Sequence, residues 1–185
     1  MAAQTNSSDT VGTKEVWAYD PLHTKIQFTA RHLVISEVAG HFNKFDIKLM
    51  AGKDFTDSEV EVTVDVNSID TGIVDRNNHL KSPDFFEAEK YPLITFKSTK
   101  IEKVDDEEFK LYGDFTIKNI TKPIELKVIY GGTITDPWGK TRAGFKVLGS
   151  INRFDYDLKW NALIETGGAV VGKTINLVCD VEVVK

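Results

Sequence analysis

Apolar residues occupy every second position over most of this 185-residue chain, and that spacing constrains the fold more than any other feature. Successive side chains of a β-strand point to opposite faces, so the alternation indicates strands with one buried and one solvated face. The clearest runs are residues 60–66, where four valines alternate with polar residues, and residues 175–183. Helical periodicity is nearly absent. The pattern therefore predicts an all-β protein of antiparallel strands.

About eight such segments occur, and short turn-like stretches join most of them. The predicted turns include an acidic hairpin tip at 105–108, a proline- and glycine-containing turn at 136–139, and a third turn at 119–123. This organisation suits either a sandwich or a closed up-and-down barrel. Glycines inside or beside strands relieve crowding where barrel strands bend, and they favour the eight-stranded antiparallel barrel: Gly113, Gly131, Gly132, Gly144 and Gly149.

Residues 67–92 form the one long stretch that does not fit the strand pattern. In a compact domain a connection of this length is usually a lid, a binding loop or a disordered insert. The aromatic pair Phe85 and Phe86 argues against disorder. Arg76 and His79 are three residues apart and would share one face of a short helix. We therefore expect a short helical lid, with a further turn that begins at residues 82–83.

Two roles are open for Arg76 within this lid. It could contact the polar head of a bound amphiphile, or it could pair with a carboxylate such as Asp70 and pin the loop. The interior of the barrel also has two possible interpretations, because eight strands enclose either a packed core or room for one small ligand. The inward residues are aromatic or aliphatic almost throughout, so any cavity would suit a hydrocarbon guest.

Composition excludes several classes of partner. A net charge of −5 and a pI of about 5.4 argue against nucleic acids and against an anionic membrane surface. No apolar run approaches the roughly 20 residues of a membrane-spanning helix, so no integral membrane segment is expected. Cys179 alternates with Leu177 and Val181, which predicts a small apolar core residue rather than a disulfide partner.

The N-terminal residues are polar and carry no secretory signal as written. We expect a disordered polar tail over residues 1–14 and a single domain over residues 15–185. The sequence as written predicts a cytoplasmic location, or a periplasmic one if a leader has been removed.

Two apparent motifs carry little weight. Residues 167–174 match the phosphate-loop pattern, but residues 175–183 alternate as a strand where that motif needs a helix, so a glycine-rich bend is the better reading. The four histidines, His23, His32, His41 and His79, match no compact metal-ligand spacing. No serine lies in a hydrolase motif. No catalytic residue, metal or cofactor is expected.

Ordered blocks of residues from Trp17 to the C-terminus resemble the YceI-like family of polyisoprenoid-binding, lipocalin-like proteins. The resemblance is carried by Trp17, Asp20, His23 and Thr24; Gly40 and Phe42; Ile69, Asp70 and Thr71; Arg76, His79, Leu80, Asp84, Phe85 and Phe86; Tyr91, Pro92 and Phe96; Gly113 and Phe115; Arg142 and Phe145; Asn152, Arg153 and Asp155; and Trp160, Asn161, Gly167 and Gly168. Departures are modest: Thr24 stands where serine is common, and Asn77 and Asn78 replace the more usual aspartate.

The resemblance implies an eight-stranded antiparallel, lipocalin-like barrel whose interior holds a long isoprenoid, a quinone-like compound or a fatty amphiphile, without a catalytic cofactor. In such bacterial families, transport and stress response are both suggested roles, and a homodimer is one assembly to consider. The residues expected to contact the ligand are Phe28, Phe45, Phe85, Phe86, Phe96, Phe115, Phe145 and Trp160 along the chain of the lipid, and Arg76, His79 and Arg142 at its head group.

We therefore predict non-enzymatic binding, sequestration or transport of a lipid. The alternative is a barrel isomerase or cyclase that acts on a hydrophobic substrate, with His79 or His32 as general base. A third class, a packed barrel that serves only as a protein-interaction module, predicts no cavity.

Overall fold

The computed structural model describes residues 13–162 and 170–185, and strands dominate it. Among the described residues the strands are β1 (Glu15–Tyr19), β2 (Lys25–His32), β3 (Ser36–Phe42), β4 (Phe45–Ala51), β5 (Glu59–Asp65), β6 (Ile69–Asp70), β7 (Leu93–Lys103), β8 (Glu108–Ile117), β9 (Ile120–Thr135), β10 (Thr141–Asn152) and β11 (Val171–Val184). One α-helix, α1 (Val74–Lys81), and two 3-10 turns at Val66–Ser68 and Arg153–Tyr156 complete the described fold. No helix within these ranges is long and apolar enough to cross a membrane.

The eleven strands form an eight-stranded barrel because three long strands are each broken into two. Strands β1 and β2 both pair with β11, β4 pairs with β1, and β3 pairs with β2. Strands β5 and β6 pair in turn with β4 and β3. Each pair of half-strands therefore occupies one position in the barrel. The remaining pairings follow the order of the chain: β5 pairs with β7, and each later strand pairs with the next as far as β11.

Antiparallel pairing of β1 with the end of β11 closes the sheet, with Ala18 opposite Val184. Closure removes the unpaired edges that an open sheet would present. The predicted eight-stranded antiparallel barrel is thus confirmed, and the sandwich alternative is wrong.

Side chains satisfy the backbone where the long strands break. At the β3–β4 break, the amide of Lys44 donates to Ser68 Oγ (2.9 Å) and the amide of Asn43 donates to the Ser68 carbonyl (3.1 Å). At the β1–β2 break, Thr24 is buried; its hydroxyl donates to the Glu182 carbonyl (3.3 Å) and accepts from the Glu182 amide (3.2 Å). These contacts replace ladder hydrogen bonds that the breaks remove.

The segment between β6 and β7 forms the predicted structured lid. Helix α1 buries none of its eight residues, yet Leu80, Phe85 and Phe86 pack against the core. Ser82 ends α1 and begins the next turn: its hydroxyl donates to the His79 carbonyl (2.7 Å), and its own carbonyl accepts from the Phe85 amide (3.0 Å). The expected helix and the expected second turn are both present.

The opposite end of the barrel is sealed by Phe55, which lies in the β4–β5 loop and is 3% exposed. Its ring packs against Trp17 (5.2 Å between ring centroids) and edge-on against Phe145 (5.0 Å). The backbone at Phe55 is left-handed, with φ of 60°, and this turns the side chain into the barrel. The barrel therefore has one sealed end and one end covered by the lid.

Two of the three predicted turns are confirmed, and the third is misplaced. The chain turns at Lys118 and Asn119, both with positive φ, and β9 already begins at Ile120. Two left-handed residues suit the twist of a tight hairpin. Pro123 lies inside β9, beyond Lys127, where the pairing of β9 with β10 ends, so its missing amide hydrogen costs no ladder bond to β10.

The last strand begins at Val171, which confirms that the phosphate-loop match leads into a strand rather than a helix. Residues 163–169 and 1–12, which hold part of that match and most of the predicted tail, lie outside the described residues.

Candidate functional site

The barrel encloses a cavity of about 270 Å³. Its wall runs from Phe55 at the sealed end to Leu80, Phe85 and Phe86 of the lid. The lining is almost entirely apolar and includes residues from strands all around the barrel. A packed barrel without a cavity, the third class considered from the sequence, does not match this interior.

The cavity is long and narrow. Along β11 every second residue from Ile175 to Val183 lines it, a stretch of about 26 Å at roughly 3.3 Å per residue, and Val171 lines it closer to the lid. With strands tilted by about 40°, that stretch covers about 20 Å along the barrel axis. A volume slightly below the roughly 300–1,000 Å³ of common ligand pockets, spread over this length, suits a chain better than a ring system.

Most of the predicted aromatic residues line the cavity. The lining includes Phe28, Phe85, Phe86, Phe96, Phe115 and Phe145. Phe45 and Trp160 are not part of it. Phe45 packs on Tyr19 (5.5 Å between centroids), and Trp160 packs on the lid residues His79 (4.8 Å) and Phe85 (5.2 Å). Both rings pack against the buried core beside the cavity. Ligand contact by each of these residues stays a prediction.

Arg76 holds the start of the lid in place through Thr71. Its Nε donates to Thr71 Oγ1 (2.8 Å) and its Nη2 donates to the Thr71 carbonyl (2.7 Å). The loop-pinning reading named Asp70 as the partner of Arg76, and that detail is wrong: Asn77 Nδ2 contacts Asp70 Oδ1 instead (3.0 Å). The Gly72 amide and the Asn77 amide keep the pKa of Asp70 below its ordinary value.

Asn77 is the centre of this network, and no role was predicted for it from the sequence. Its Oδ1 accepts from both the amide (2.8 Å) and the hydroxyl (2.7 Å) of Thr71. One side chain thereby ties α1 to the end of β6. A sequence signal existed, since an asparagine pair at 77–78 departs from the family pattern, but the pattern alone does not reveal the partner.

His79 and His32, the proposed general bases, are outside the cavity lining. His79 Nε2 lies 2.9 Å from Asp84 Oδ2, and the edges of the Phe85 and Trp160 rings meet its ring. His32 is paired with Ser36 in the β2–β3 ladder. Neither imidazole is placed to take a proton from a guest in this cavity.

Arg142 lies at the sealed end, remote from the lid. Its Nη1 donates to Asp20 and Glu182 (2.7 Å each), and its Nε donates to Asp136 (2.7 Å). Hydrogen bonds from His23 and then from Arg142 hold the pKa of Asp20 well below its ordinary value, and Arg142 lowers that of Asp136. This placement gives no support to a head-group role for Arg142.

The same cluster contains the three side chains among the described residues that could share a metal ion: Asp20, His23 and Glu182. Arg142 already donates to both carboxylates, so its guanidinium occupies the position of the cation. The chemistry of the cluster is that of an ion-pair network that ties β1, β10 and β11 together.

Arg153 is a second residue that sequence reasoning missed. It is 2% exposed, and its guanidinium donates to the carbonyls of Gly172 (2.9 Å), Trp160 (2.8 Å), Val171 (3.2 Å) and Leu158. Burial lowers its pKa. These bonds fasten the lid-side end of β10 to the start of β11. Arg153 belongs to one of the blocks that carry the family resemblance, but the local sequence does not show that its side chain faces inward.

Cys179 lines the cavity as the alternation predicted. Burial raises the pKa of its thiol to about 11, so it is a neutral, apolar part of the wall.

Comparison with known proteins shows which family this chain is similar to. The model of the YceI-like domain family matches residues 17–183. A UPF0312 protein of Staphylococcus epidermidis is 37% identical over 166 residues, which cover 89% of this chain and 94% of the relative. The crystal structure of a Campylobacter jejuni YCEI protein is similar over 100% of this chain and 98% of its own, with 30% identity and a TM-score of 0.74.

A more distant structure shares the fold. A domain from Saccharophagus degradans, described as polyisoprenoid-binding and implicated in plant cell wall breakdown, has 15% identity and a TM-score of 0.63. The match covers 90% of this chain and 97% of that domain.

Proposed function

Because this chain belongs to the YceI-like domain family, we propose that it binds a long-chain isoprenoid or a similar amphiphilic lipid inside the barrel and carries or sequesters it without chemical conversion. The observation that carries the proposal is the long, almost wholly apolar cavity between Phe55 and the lid. The name of the Saccharophagus degradans domain, which refers to polyisoprenoid binding, is in line with it.

The energetics of the cavity favour a hydrocarbon chain. Each CH₂ transferred from water to an apolar wall contributes roughly 0.8 kcal/mol, so ten buried carbons contribute about 8 kcal/mol before ordering costs are subtracted. A polar head inside the same wall would lose its hydrogen bonds to water, which costs about 1–3 kcal/mol for each group left unpaired. The tail therefore belongs in the barrel, and the head belongs at the lid.

The lid is also where two of the predicted head-group residues lie. Arg76 and His79 are on α1, and both side chains are only partly buried. A quinone ring, an alcohol or a charged head could meet them there. The volume of about 270 Å³ encloses only part of a long isoprenoid, so a longer cargo requires the lid to shift outward.

The proposal is tested by extracting freshly purified protein with organic solvent, identifying lipids by mass spectrometry, and loading the emptied protein with prenyl alcohols of increasing length. A matched pair of variants localises the binding. Ala30 lines the cavity on β2, whereas Ala39 faces outward on the adjacent β3.

Ala30→Trp fills the cavity and should reduce loading at least tenfold, while Ala39→Trp adds the same bulk outside and should leave loading unchanged. Recovery of no lipid, together with no binding of any prenyl chain by the wild-type protein, would overturn the proposal.

A further inference from the structure

Two short apolar protrusions stand at the lid end of the barrel. The first is the tip of the β2–β3 hairpin, where Val34 is 55% and Ile35 is 86% exposed. The second is the start of α1, where Ile73 is 52% and Val74 is 72% exposed. We call these four residues the apolar rim. Strands β3 and β6 are antiparallel neighbours, with Phe42 opposite Ile69. The hairpin tip comes just before β3 and α1 comes just after β6, so both protrusions lie at the same end of the barrel.

The hairpin tip holds its apolar side chains outward at a conformational cost. Leu33 and Val34 both have left-handed backbones, with φ of 51° and 68°. A β-branched residue is rarely found in this region, which glycine or asparagine occupies easily. The turn geometry therefore does not require aliphatic side chains, and their exposure calls for another partner.

The lid end is also the end through which a guest can pass. At the opposite end, Phe55, Trp17 and Val183 are almost completely buried. The helix of the lid, by contrast, has no buried residue and is tied to the end of β6 by Asn77 and Arg76, and the buried contacts of the lid come from Phe85 and Ala88, which follow the helix. Segments with few buried apolar contacts open at the lowest free-energy cost. A guest therefore enters and leaves beside the apolar rim.

A cargo in this cavity cannot exchange efficiently through water. Each buried methylene lowers its equilibrium release into water about fourfold, so ten buried carbons lower that release by roughly six orders of magnitude. This step rests on the proposed lipid-binding function. Exchange becomes feasible only where the cavity mouth touches another apolar phase.

We propose that the apolar rim docks on a lipid bilayer, so that the cargo passes between the bilayer and the cavity beneath the lid without crossing water. Four exposed aliphatic side chains on two small protrusions suit insertion into the interface of a membrane. A net charge of −5 indicates that the contact is made by apolar insertion rather than by attraction to anionic head groups.

The test measures how fast a fluorescent prenyl probe moves from loaded protein to phosphatidylcholine vesicles. The variant Ile35→Ser/Val74→Ser removes half of the rim. The matched control, Leu22→Ser/Trp138→Ser, removes two equally exposed apolar residues (84% and 80%) from turns elsewhere on the barrel. All four positions are exposed, and circular dichroism verifies the fold of each variant.

Transfer by docking should accelerate in proportion to vesicle concentration, slow about tenfold or more in the rim variant, and change less than twofold in the control. A rate independent of vesicle concentration, or equal rates in the rim variant and the wild-type protein, would overturn the docking proposal. The apolar rim would then be a surface for some other partner, such as a protein. Equilibrium loading with the probe is measured separately: failure to load at all counts against the lipid-binding function, whereas normal loading with unaffected transfer rates counts against docking alone.

Discussion

Phe28 and Gly40 face each other across the β2–β3 hairpin so closely that a Cβ added at Gly40 would lie 2.4 Å from the Cζ of Phe28. Phe28 lines the cavity, and its ring is the movable end of a side chain. Gly40→Ala should therefore push the ring into the cavity, reduce lipid loading severalfold, and lower the free energy of unfolding by about 1–3 kcal/mol. Loading assays and urea denaturation measure the two effects. Unchanged loading would contradict this prediction.

Gly113 provides the contrasting case. A Cβ there would lie 2.4 Å from the Phe96 ring but also 2.5 Å from the carbonyl oxygen of Lys97, which belongs to the backbone of the neighbouring strand. Because the backbone cannot move as a ring can, Gly113→Ala should cost about 3 kcal/mol or more in unfolding free energy, and clearly more than Gly40→Ala. If Gly40→Ala were the more destabilising of the two, the backbone at Lys97 would have to move more easily than the Phe28 ring, which would contradict the prediction.

Asn77→Ala should loosen the lid without unfolding the barrel. The substitution removes the bond to Asp70 and the two bonds from Thr71, and each Thr71 bond contributes about 0.5–1.5 kcal/mol. Hydrogen exchange of amides in residues 71–92 should accelerate at least tenfold, while exchange in β8 to β10 stays unchanged. Asn78→Ala is the control, because Asn78 is exposed on the same helix. Equal exchange in both variants would refute the role of Asn77.

Arg153→Met should be among the most destabilising single substitutions. It leaves carbonyls of Leu158, Trp160, Val171 and Gly172 without their donor in a buried site, which should lower the free energy of unfolding by about 3 kcal/mol or more. Lys159→Met serves as the control, since the ion pair of Lys159 with Asp157 is exposed and should contribute less than about 1 kcal/mol. Similar denaturation midpoints for the two variants would contradict the prediction.

The network around Arg142 should make stability depend on pH only in acid. Asp20 and Asp136 have folded-state pKa values below their ordinary value of 3.8, so their contribution is fully present above that pH and is lost as the pH falls towards the folded-state pKa. Melting temperatures of the wild-type protein and of Arg142→Gln should therefore differ by a constant amount from pH 7 to 5 and converge below about pH 4. If the difference in melting temperature stayed constant down to pH 2, the stabilisation by Arg142 would come from packing rather than from its ion pairs.

Much of the barrel could be predicted because alternation is a local property of the sequence. The valines of 60–66 and the apolar set of 175–183 appear as β5 and β11 with the expected faces. The breaks that divide three long strands could not be predicted, since they depend on partners distant in sequence, such as Ser68 at the Asn43–Lys44 break. The breaks are therefore caused by tertiary contacts and not by the local sequence.

The candidate site was predictable to a similar degree. Aromatic residues within strands, such as Phe96 and Phe115, line the cavity because strand phase decides which way they point. Phe55 escaped prediction because it lies in a polar loop and enters the barrel through a left-handed backbone. The surroundings of Arg142 could not be predicted for a related reason: three carboxylates from separate parts of the chain surround it, and none is near it in sequence except Asp136.

The pairing of β1 with the end of β11 has a consequence for how the chain can be rearranged. Ala18 is opposite Val184, and the ammonium of Lys185 contacts Glu15, so the two ends of the barrel's strand order are immediate neighbours. A short linker could join them, and new ends could be opened at the acidic hairpin tip at 105–108. A circularly permuted chain of this kind should close the same barrel, because the ring of strands has no obligatory first member.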